Sequence, residues 1–197
     1  MSSKDRYGKF KKKHYVRTIY AVRDYLCRQF GYKIKPFLFE TELPPRVLMN
    51  FCHNANGWAI FYDYKKFKKR FGHEDFEGQE AYAAASMAHE MRHYYQHRQM
   101  LATNPKESEK TIMLWWDNEE NTKSLEDGDS LLDCLLQPLE LDARLFEYVF
   151  AAEEFDLLLL RLILNEEHFN AMEKLYVEYY GKTDESLFND EIRERLK

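Results

Sequence analysis

A long helix-forming segment, residues 78–101, constrains the fold of this chain more than any other feature. Its sequence, GQEAYAAASMAHEMRHYYQHRQML, is rich in Ala, Met, Gln and Glu, contains no Pro, and has a single Gly at its start. Most of these residue types have high helix propensity. Asn104-Pro105 then breaks the helical pattern. The sequence therefore predicts one strong central helix.

A basic helix and an extended segment are predicted near the N-terminus. Residues 15–30 carry apolar and aromatic side chains at nearly helical intervals, and Gly31 supplies a C-terminal stop. Residues 32–45 are typical of extended structure that ends at Pro44-Pro45. The order predicted so far is therefore helix, then strand.

A second strand is predicted just before the central helix. Asn56-Gly57 is a turn dipeptide, and apolar and aromatic side chains alternate from Trp58 to Tyr64. This pattern indicates a hairpin-like strand. The basic run Lys65–Arg70 then leads away from it.

The C-terminal half has mainly helical patterns. Residues 117–129 are acidic and polar, which indicates an exposed loop. Residues 130–164 carry two helical patterns with a break near Pro138, and an amphipathic helix covers residues 170–181. We therefore expect an α+β protein with a small N-terminal sheet packed on the central helix.

The whole chain, residues 1–197, is predicted to form a single domain with three parts. Residues 1–35 would form a basic N-terminal helix or arm, residues 36–103 the sheet and the central helix, and residues 104–197 a helical subdomain. The chain shows no internal repeat and no low-complexity linker between these parts.

The composition excludes several classes of protein. Apolar residues make up 45% of the chain and aromatic residues 16%, which favours a packed core over disorder. The three cysteines, Cys27, Cys52 and Cys134, show no paired metal-ligand spacing, so we expect them to be reduced.

The N-terminal segment and the longest apolar run both argue against a membrane or secreted protein. Residues 1–15 contain no apolar stretch of the kind found in secretory signals. The longest apolar run, FDLLLLRLIL, contains an arginine and is too short to cross a bilayer. We therefore expect a cytoplasmic protein with no membrane partner.

The charge is distributed unevenly along the chain. Residues 1–100 carry 19 Lys and Arg against 10 Asp and Glu, although the net charge of the whole chain is −5. Basic segments such as KFKKKHYVR and KKFKKR are compatible with nucleic-acid binding. A basic surface that is solvated, or that docks on the acidic half of the chain, is the favoured interpretation.

A metal-binding motif lies within the central helix. His89 and His93 are four residues apart, which places them about 40° apart around the helix axis and about 6 Å apart along it. Two imidazoles in this arrangement can both reach one Zn²⁺ ion. Glu90 is turned about 100° from His89, so its carboxylate can flank the ion as a base instead of binding it.

A third ligand must come from another segment. His97 lies about 12 Å from His89 along the helix and cannot converge on the same ion. The best supplier is PLELDARLFEYVF, in which Glu140 shares a helix face with the small residue Ala143. Asp142 points about 200° away from Glu140 and stays an alternative ligand, or a partner for a ligand histidine.

These two segments together resemble a known family. AHEMRH followed by ELDARLF is similar to the gluzincin pattern of ImmA/IrrE-type and minigluzincin metallopeptidases, in which a glutamate begins an E-x-x-A segment. The resemblance implies a zincin-like fold with zinc bound by His89, His93 and Glu140. It also implies that Glu90 is the general base.

The resemblance covers about residues 30–150 and departs from the family in two places. Arg144 stands where the family usually has Asn. The 46 residues between His93 and Glu140 form a long spacer, which suggests an inserted loop over the cleft.

Several neighbouring residues are candidates for supporting roles. Gln96 returns to the His89 face, where it would line the cleft or orient a ligand, or else be solvated. Tyr94, Tyr95 and Tyr148 are candidates to stabilise an oxyanion, although core or surface positions are commoner for tyrosines. The histidines without ligands nearby in sequence are expected to be structural: His53, His73 and His168.

The function predicted from these residues is that of a zinc-dependent endopeptidase acting on polypeptides. The strand from Trp58 to Tyr64 would offer its edge to an extended peptide. A di-iron helical bundle is disfavoured because it needs a second Glu-x-x-His segment. The alternative from another class is a DNA- or protein-binding module that uses a zincin scaffold without hydrolysis, of the kind that phages or mobile elements encode.

Overall fold

The computed structural model of the chain describes residues 9–123 and 128–195. The first eight residues of the predicted basic arm and residues 124–127 of the predicted acidic loop lie outside these ranges. The contacts divide the chain into two compact units, Met1–Tyr94 and Tyr95–Lys197, with the boundary inside one long helix. The described secondary structure is α+β, as the sequence predicts.

The first unit contains helices and all three strands of the described sheet. Its elements are, in chain order, α1 (Lys12–Phe30), β1 (Phe37–Glu40), β2 (Met49–Asn54), β3 (Gly57–Tyr62), α2 (Tyr64–Phe71) and most of α3 (Phe76–Met100). The predicted first helix and central helix are confirmed. Gly31 ends α1 in the left-handed conformation, φ 77°, and its N–H donates to the carbonyl of Arg28.

The sheet has the order β1-β3-β2, so β3 is the central strand. β1 pairs with β3 in parallel, and β2 pairs with β3 in an antiparallel hairpin. The hairpin register pairs Asn54 with Gly57, whose φ of 125° suits glycine. The sequence prediction missed β2, and the strand predicted over Trp58–Tyr64 ends at Tyr62 because Asp63 begins the next helix.

The basic run Lys65–Arg70 forms most of α2, a helix that the sequence prediction missed. Phe67 and Phe71 lie four residues apart and are both buried, so the helix has an apolar face despite its charge. The ring centroid of Phe67 lies 4.6 Å from that of Tyr15 in α1. The aromatic core of this unit thus joins α1 and α2.

The second unit is helical throughout its described part. It contains the end of α3, then α4 (Glu109–Glu120), α5 (Leu131–Leu135), α6 (Pro138–Phe155), a short 3-10 helix (Leu160–Leu162), α7 (Glu166–Tyr180) and α8 (Asp190–Glu194). Its core lies between α6 and α7 and includes the fully buried Tyr148, Phe169 and Met172.

Two sequence predictions for this unit are wrong in detail. Residues 117–120, predicted as loop, belong to α4, because the buried Trp115 anchors that helix and Ser108 caps its start. The apolar run after Phe155 does not continue the helix, since Asp156 adopts the left-handed conformation and ends α6. Among the described residues, no helix is both long and apolar enough to span a membrane.

Asp63 holds α2 and the chain before β2 in place. Its carboxylate accepts hydrogen bonds from the backbone N–H of Lys66 (3.0 Å) and of Leu43 (3.3 Å). Burial alone would raise the pKa of Asp63, but these hydrogen bonds and the charge of Lys66 outweigh burial and lower the pKa below its ordinary value of 3.8.

Asp63→Ala should therefore lower the free energy of unfolding at pH 7 by about 0.5–2 kcal/mol. Because the pKa is lower in the folded state, this contribution is present above about pH 4 and is lost as the pH falls through the folded pKa. Urea unfolding at several pH values should show the difference from wild type shrinking in acid.

Ser108→Ala is the matched control, because it removes a cap that has no carboxylate. Its destabilisation should persist in acid. If the effect of Asp63→Ala also stayed constant between pH 7 and pH 3, the role given to the ionised carboxylate would be wrong.

Candidate metal centre

His89 and His93 lie one turn apart on α3, as their spacing predicts. Their Nε2 atoms are 3.1 Å apart, and their ring centroids are 4.7 Å apart at an interplanar angle of 84°. His89 is only 7% exposed. The helix is held in place by its opposite side, where Met87, Ala88 and Met91 are fully buried. Helix geometry and packing thus fix the two rings edge to face.

The separation of the two nitrogens suits two ligands of one ion. Two imidazole nitrogens bound at 2.0–2.1 Å to a tetrahedral Zn²⁺ would be about 3.3–3.4 Å apart. The observed 3.1 Å is close to this separation. The pair can therefore share one ion with only a small movement of the side chains.

Glu90 is bound to the sheet through a contact that the sequence prediction missed. Its Oε2 accepts a hydrogen bond of 2.7 Å from the backbone N–H of Phe51 in β2. The carbonyl of Leu48, just before β2, accepts a hydrogen bond from the N–H of Asp63, just after β3. Backbone groups alternate in direction along a strand, so the even-numbered residues of β2 hydrogen-bond to β3 and Phe51 N–H points away from β3. Glu90 therefore lies at the free edge of the sheet.

The charge of Glu90 also affects the pKa of a neighbouring thiol. Burial, and then the negative charge of Glu90, raise the pKa of Cys52 in β2. Cys52 is one of three cysteines in the chain, all of which are free thiols. The expectation that they form no disulfide is confirmed.

The predicted substrate-binding edge must be moved to another strand. The sequence prediction assigned this role to the strand that begins at Trp58, which is β3. β3 is paired with β1 on one side and β2 on the other, so it has no free edge. The free edges of this sheet belong to β1 and β2, and Glu90 contacts β2.

Gln96 ties α3 to the start of α6 within the second unit. Its side chain is fully buried, and Nε2 donates to the carbonyl of Leu139 (3.0 Å) and to Oδ2 of Asp142 (2.6 Å). Oδ1 of Asp142 accepts from the Tyr179 hydroxyl at 2.7 Å. A solvated position for Gln96, one of the two sequence interpretations, is therefore wrong.

Glu140 lies in the sequence between Leu139 and Asp142, the two residues that Gln96 contacts. It is in the first turn of α6, which begins at Pro138, and is partly exposed. The start of this helix is also held by Asn118, whose Oδ1 accepts from Leu139 N–H at 2.9 Å. The fully buried Ala143 lies one turn beyond Glu140, where a larger side chain would need space. Backbone and side-chain contacts thus fix the turn that carries Glu140.

Arg144 forms an ion pair with the buried Glu147 on the same helix. Its guanidinium therefore neutralises a buried carboxylate of α6. Arg144 thus has a local structural role.

Within the first unit, the structure brings together two of the three ligands predicted from the sequence, His89 and His93. Glu140 lies in the second unit, and its assignment as the third ligand stays a prediction.

The tyrosines considered as oxyanion-stabilising groups donate their hydroxyl protons elsewhere. Tyr94 donates to the carbonyl of Ile34 (2.7 Å), and Tyr95 donates to Glu107 (2.8 Å). Tyr148 donates to a carbonyl in the core of the second unit. These contacts favour structural roles for all three hydroxyls.

Comparisons with protein-family models, with curated proteins and with solved structures found no match to this chain. The chemistry of the candidate site therefore has to be argued from its residues. Two imidazoles and one carboxylate are a donor set used by catalytic zinc sites, which keep a fourth position open.

Gln96→Leu should destabilise the protein, because it removes both hydrogen bonds that Gln96 donates and keeps the buried volume similar. We expect a loss of about 1–3 kcal/mol in the free energy of unfolding. Tyr179→Phe, which removes one bond to the same carboxylate at a more exposed position, should cost less. Urea unfolding of the two variants gives the comparison, and an equal or smaller effect of Gln96→Leu would contradict it.

Proposed function

We propose that this chain is a zinc-dependent metallopeptidase with a zincin-like fold. The observation that carries the proposal is the pair of Nε2 atoms of His89 and His93, 3.1 Å apart on one helix. The family resemblance of the HEMRH and ELDAR segments supports the same reading.

In this proposal His89, His93 and Glu140 would hold the ion, and Glu90 acts as general base. A zinc ion held there would supply Lewis acidity for the attack of water on the substrate carbonyl. Glu90 accepts the proton of the attacking water and delivers it to the leaving amine. Glu90 directly follows His89 on α3, and its Oε2 accepts from Phe51 N–H at the edge of β2.

The substrate in this proposal is an extended polypeptide lying along β2. An unpaired strand edge offers backbone N–H and carbonyl groups at regular intervals, and an extended peptide can pair with them as a further strand. β2 is the edge strand that carries the contact to Glu90. Binding there would bring a peptide bond close to the base.

The alternative, a nucleic-acid-binding module, has less support. Basic side chains in both basic segments already contact acceptors within the first unit. Lys12 pairs with Glu40, Lys66 donates to a backbone carbonyl, and Lys68 donates to Gln79. We further propose a cytoplasmic setting, for which the three free cysteines are the support.

We expect about one zinc ion per chain in protein purified without added metal, and little in His93→Ala, because one imidazole and a carboxylate bind zinc weakly. Elemental analysis by mass spectrometry measures the content. His73→Ala is the matched control, since it removes a histidine from an exposed position outside the predicted ligand set. Equal zinc content in wild type and His93→Ala would remove the proposed site.

The third ligand is assigned by a further pair of variants in the same assay. Glu140→Ala should lose zinc to a chelator far more readily than Asp142→Ala. Loss of Asp142, which acts on α6 through Gln96, should weaken affinity by about 10–100-fold. A larger effect at Asp142 than at Glu140 would reverse the assignment.

Glu90→Gln should keep its zinc and lose hydrolysis by about 10²–10⁴-fold, because the amide can still accept from Phe51 N–H but cannot take a proton. Cleavage of a denatured protein, followed by electrophoresis alongside the zinc assay, measures both properties. Loss of zinc in this variant would make Glu90 a ligand and refute the proposed mechanism.

A further inference from the structure

The hydrogen bond between Phe51 and Glu90 places the proposed base on the same backbone group that a peptide would need. Phe51 N–H points away from β3, at the free edge of β2, and donates to Glu90 Oε2 at 2.7 Å. The even-numbered residues of the strand use their backbone groups to pair with β3. Phe51 therefore offers one of the outward-facing donors of this edge.

A backbone N–H carries one hydrogen and is normally satisfied by one acceptor. A peptide pairing with the edge of β2 needs such N–H groups for its main-chain carbonyls. The Glu90 carboxylate and a peptide carbonyl therefore compete for Phe51 N–H. Glu90 is 8% exposed and bound by a short, charge-assisted hydrogen bond, so it occupies the position when no peptide is present.

We propose that Phe51 N–H is a shared donor that holds Glu90 against the edge strand until an extended peptide displaces it. The main-chain carbonyl of the peptide takes the N–H, and the carboxylate of Glu90 is released towards the histidine pair. Peptide binding and release of the base are then one exchange of hydrogen bonds. This inference rests on the proposed peptidase function, and it adds that the base becomes free only when substrate pairs with β2.

The pairing of β2 with β3 is not involved in the exchange. Phe51 N–H faces away from β3, so Cys52 and its even-numbered neighbours keep their pairing with β3 when Phe51 N–H changes its acceptor. Burial, and then the charge of Glu90, raise the pKa of the Cys52 thiol, in agreement with a carboxylate close to β2. The exchange therefore leaves the register of the strand unchanged.

The test is the affinity of an octapeptide of alternating valine and threonine for wild type, Glu90→Gln and Glu90→Ala. Removal of the competing acceptor should tighten binding by tenfold or more in Glu90→Ala, since hydrogen bonds to charged groups are stronger than neutral ones. The side chain of Glu90→Gln is a neutral acceptor, so the peptide affinity of this variant should lie between those of wild type and Glu90→Ala. Affinity is measured by NMR titration, which does not depend on hydrolysis.

Amide hydrogen exchange at Phe51 gives a second readout on the same samples. Exchange should be slow in wild type, faster by tenfold or more in Glu90→Ala, and slow again when the peptide is added to that variant. Cys52 N–H, which faces β3, is the internal control and should stay protected throughout, which also reports that the variant is folded.

Peptide affinity that is unchanged or weaker in Glu90→Ala would overturn the inference, and so would a peptide that binds none of the three proteins. The proposed peptidase function fails separately, by absence of zinc and of cleavage in wild type. A peptide affinity that is highest in Glu90→Ala, intermediate in Glu90→Gln and lowest in wild type supports the shared donor, whatever the result of the zinc assay.

Discussion

Two imidazole nitrogens 3.1 Å apart on one helix form the contact on which the interpretation of this protein depends. At this distance the two facing Nε2 atoms cannot both carry a proton. Either one nitrogen donates to the other, or both lone pairs face a third, positively charged group. The rings are held there by a helix whose other side is buried, so the arrangement is part of the fold. A divalent cation satisfies both lone pairs at once.

Backbone groups hold a candidate carboxylate in each of the two units. In the first unit, Glu90 accepts from the N–H of Phe51, which holds the carboxylate at β2. In the second unit, the first turn of α6, which carries Glu140, is held by Gln96 at a carbonyl and by Asn118 at an N–H. Catalysis by a base and a metal needs such placement, because small displacements of reacting groups are costly.

The parts of the fold that follow from periodicity were predictable from the sequence. α3 and the one-turn spacing of its histidines come directly from helix geometry, and the sequence also predicted the α+β class. β2 was missed because MNFCHN is short and shows no clear alternation. α2 was missed because four lysines and an arginine hide the pair Phe67 and Phe71, which bury its apolar face.

The candidate site was likewise predictable from the sequence only in part. The metal-ligand hypothesis uses side chains whose types and spacing are visible in the sequence, and it stays a prediction. The partner of Glu90 is a backbone N–H, which has no residue-type signal, and its strand had not been predicted. Gln96 had a visible signal, its position one turn beyond His93, but only the fold shows that it is buried against α6.

The proposed metal site is tested most directly by the position of zinc in crystals of the protein, located by anomalous scattering at the zinc absorption edge. We expect one strong peak within about 2.0–2.2 Å of the Nε2 atoms of His89 and His93 and of a carboxylate oxygen of Glu140. A peak that lies only elsewhere in the protein, or no peak at the His89 and His93 pair in zinc-loaded crystals, would contradict the proposed site.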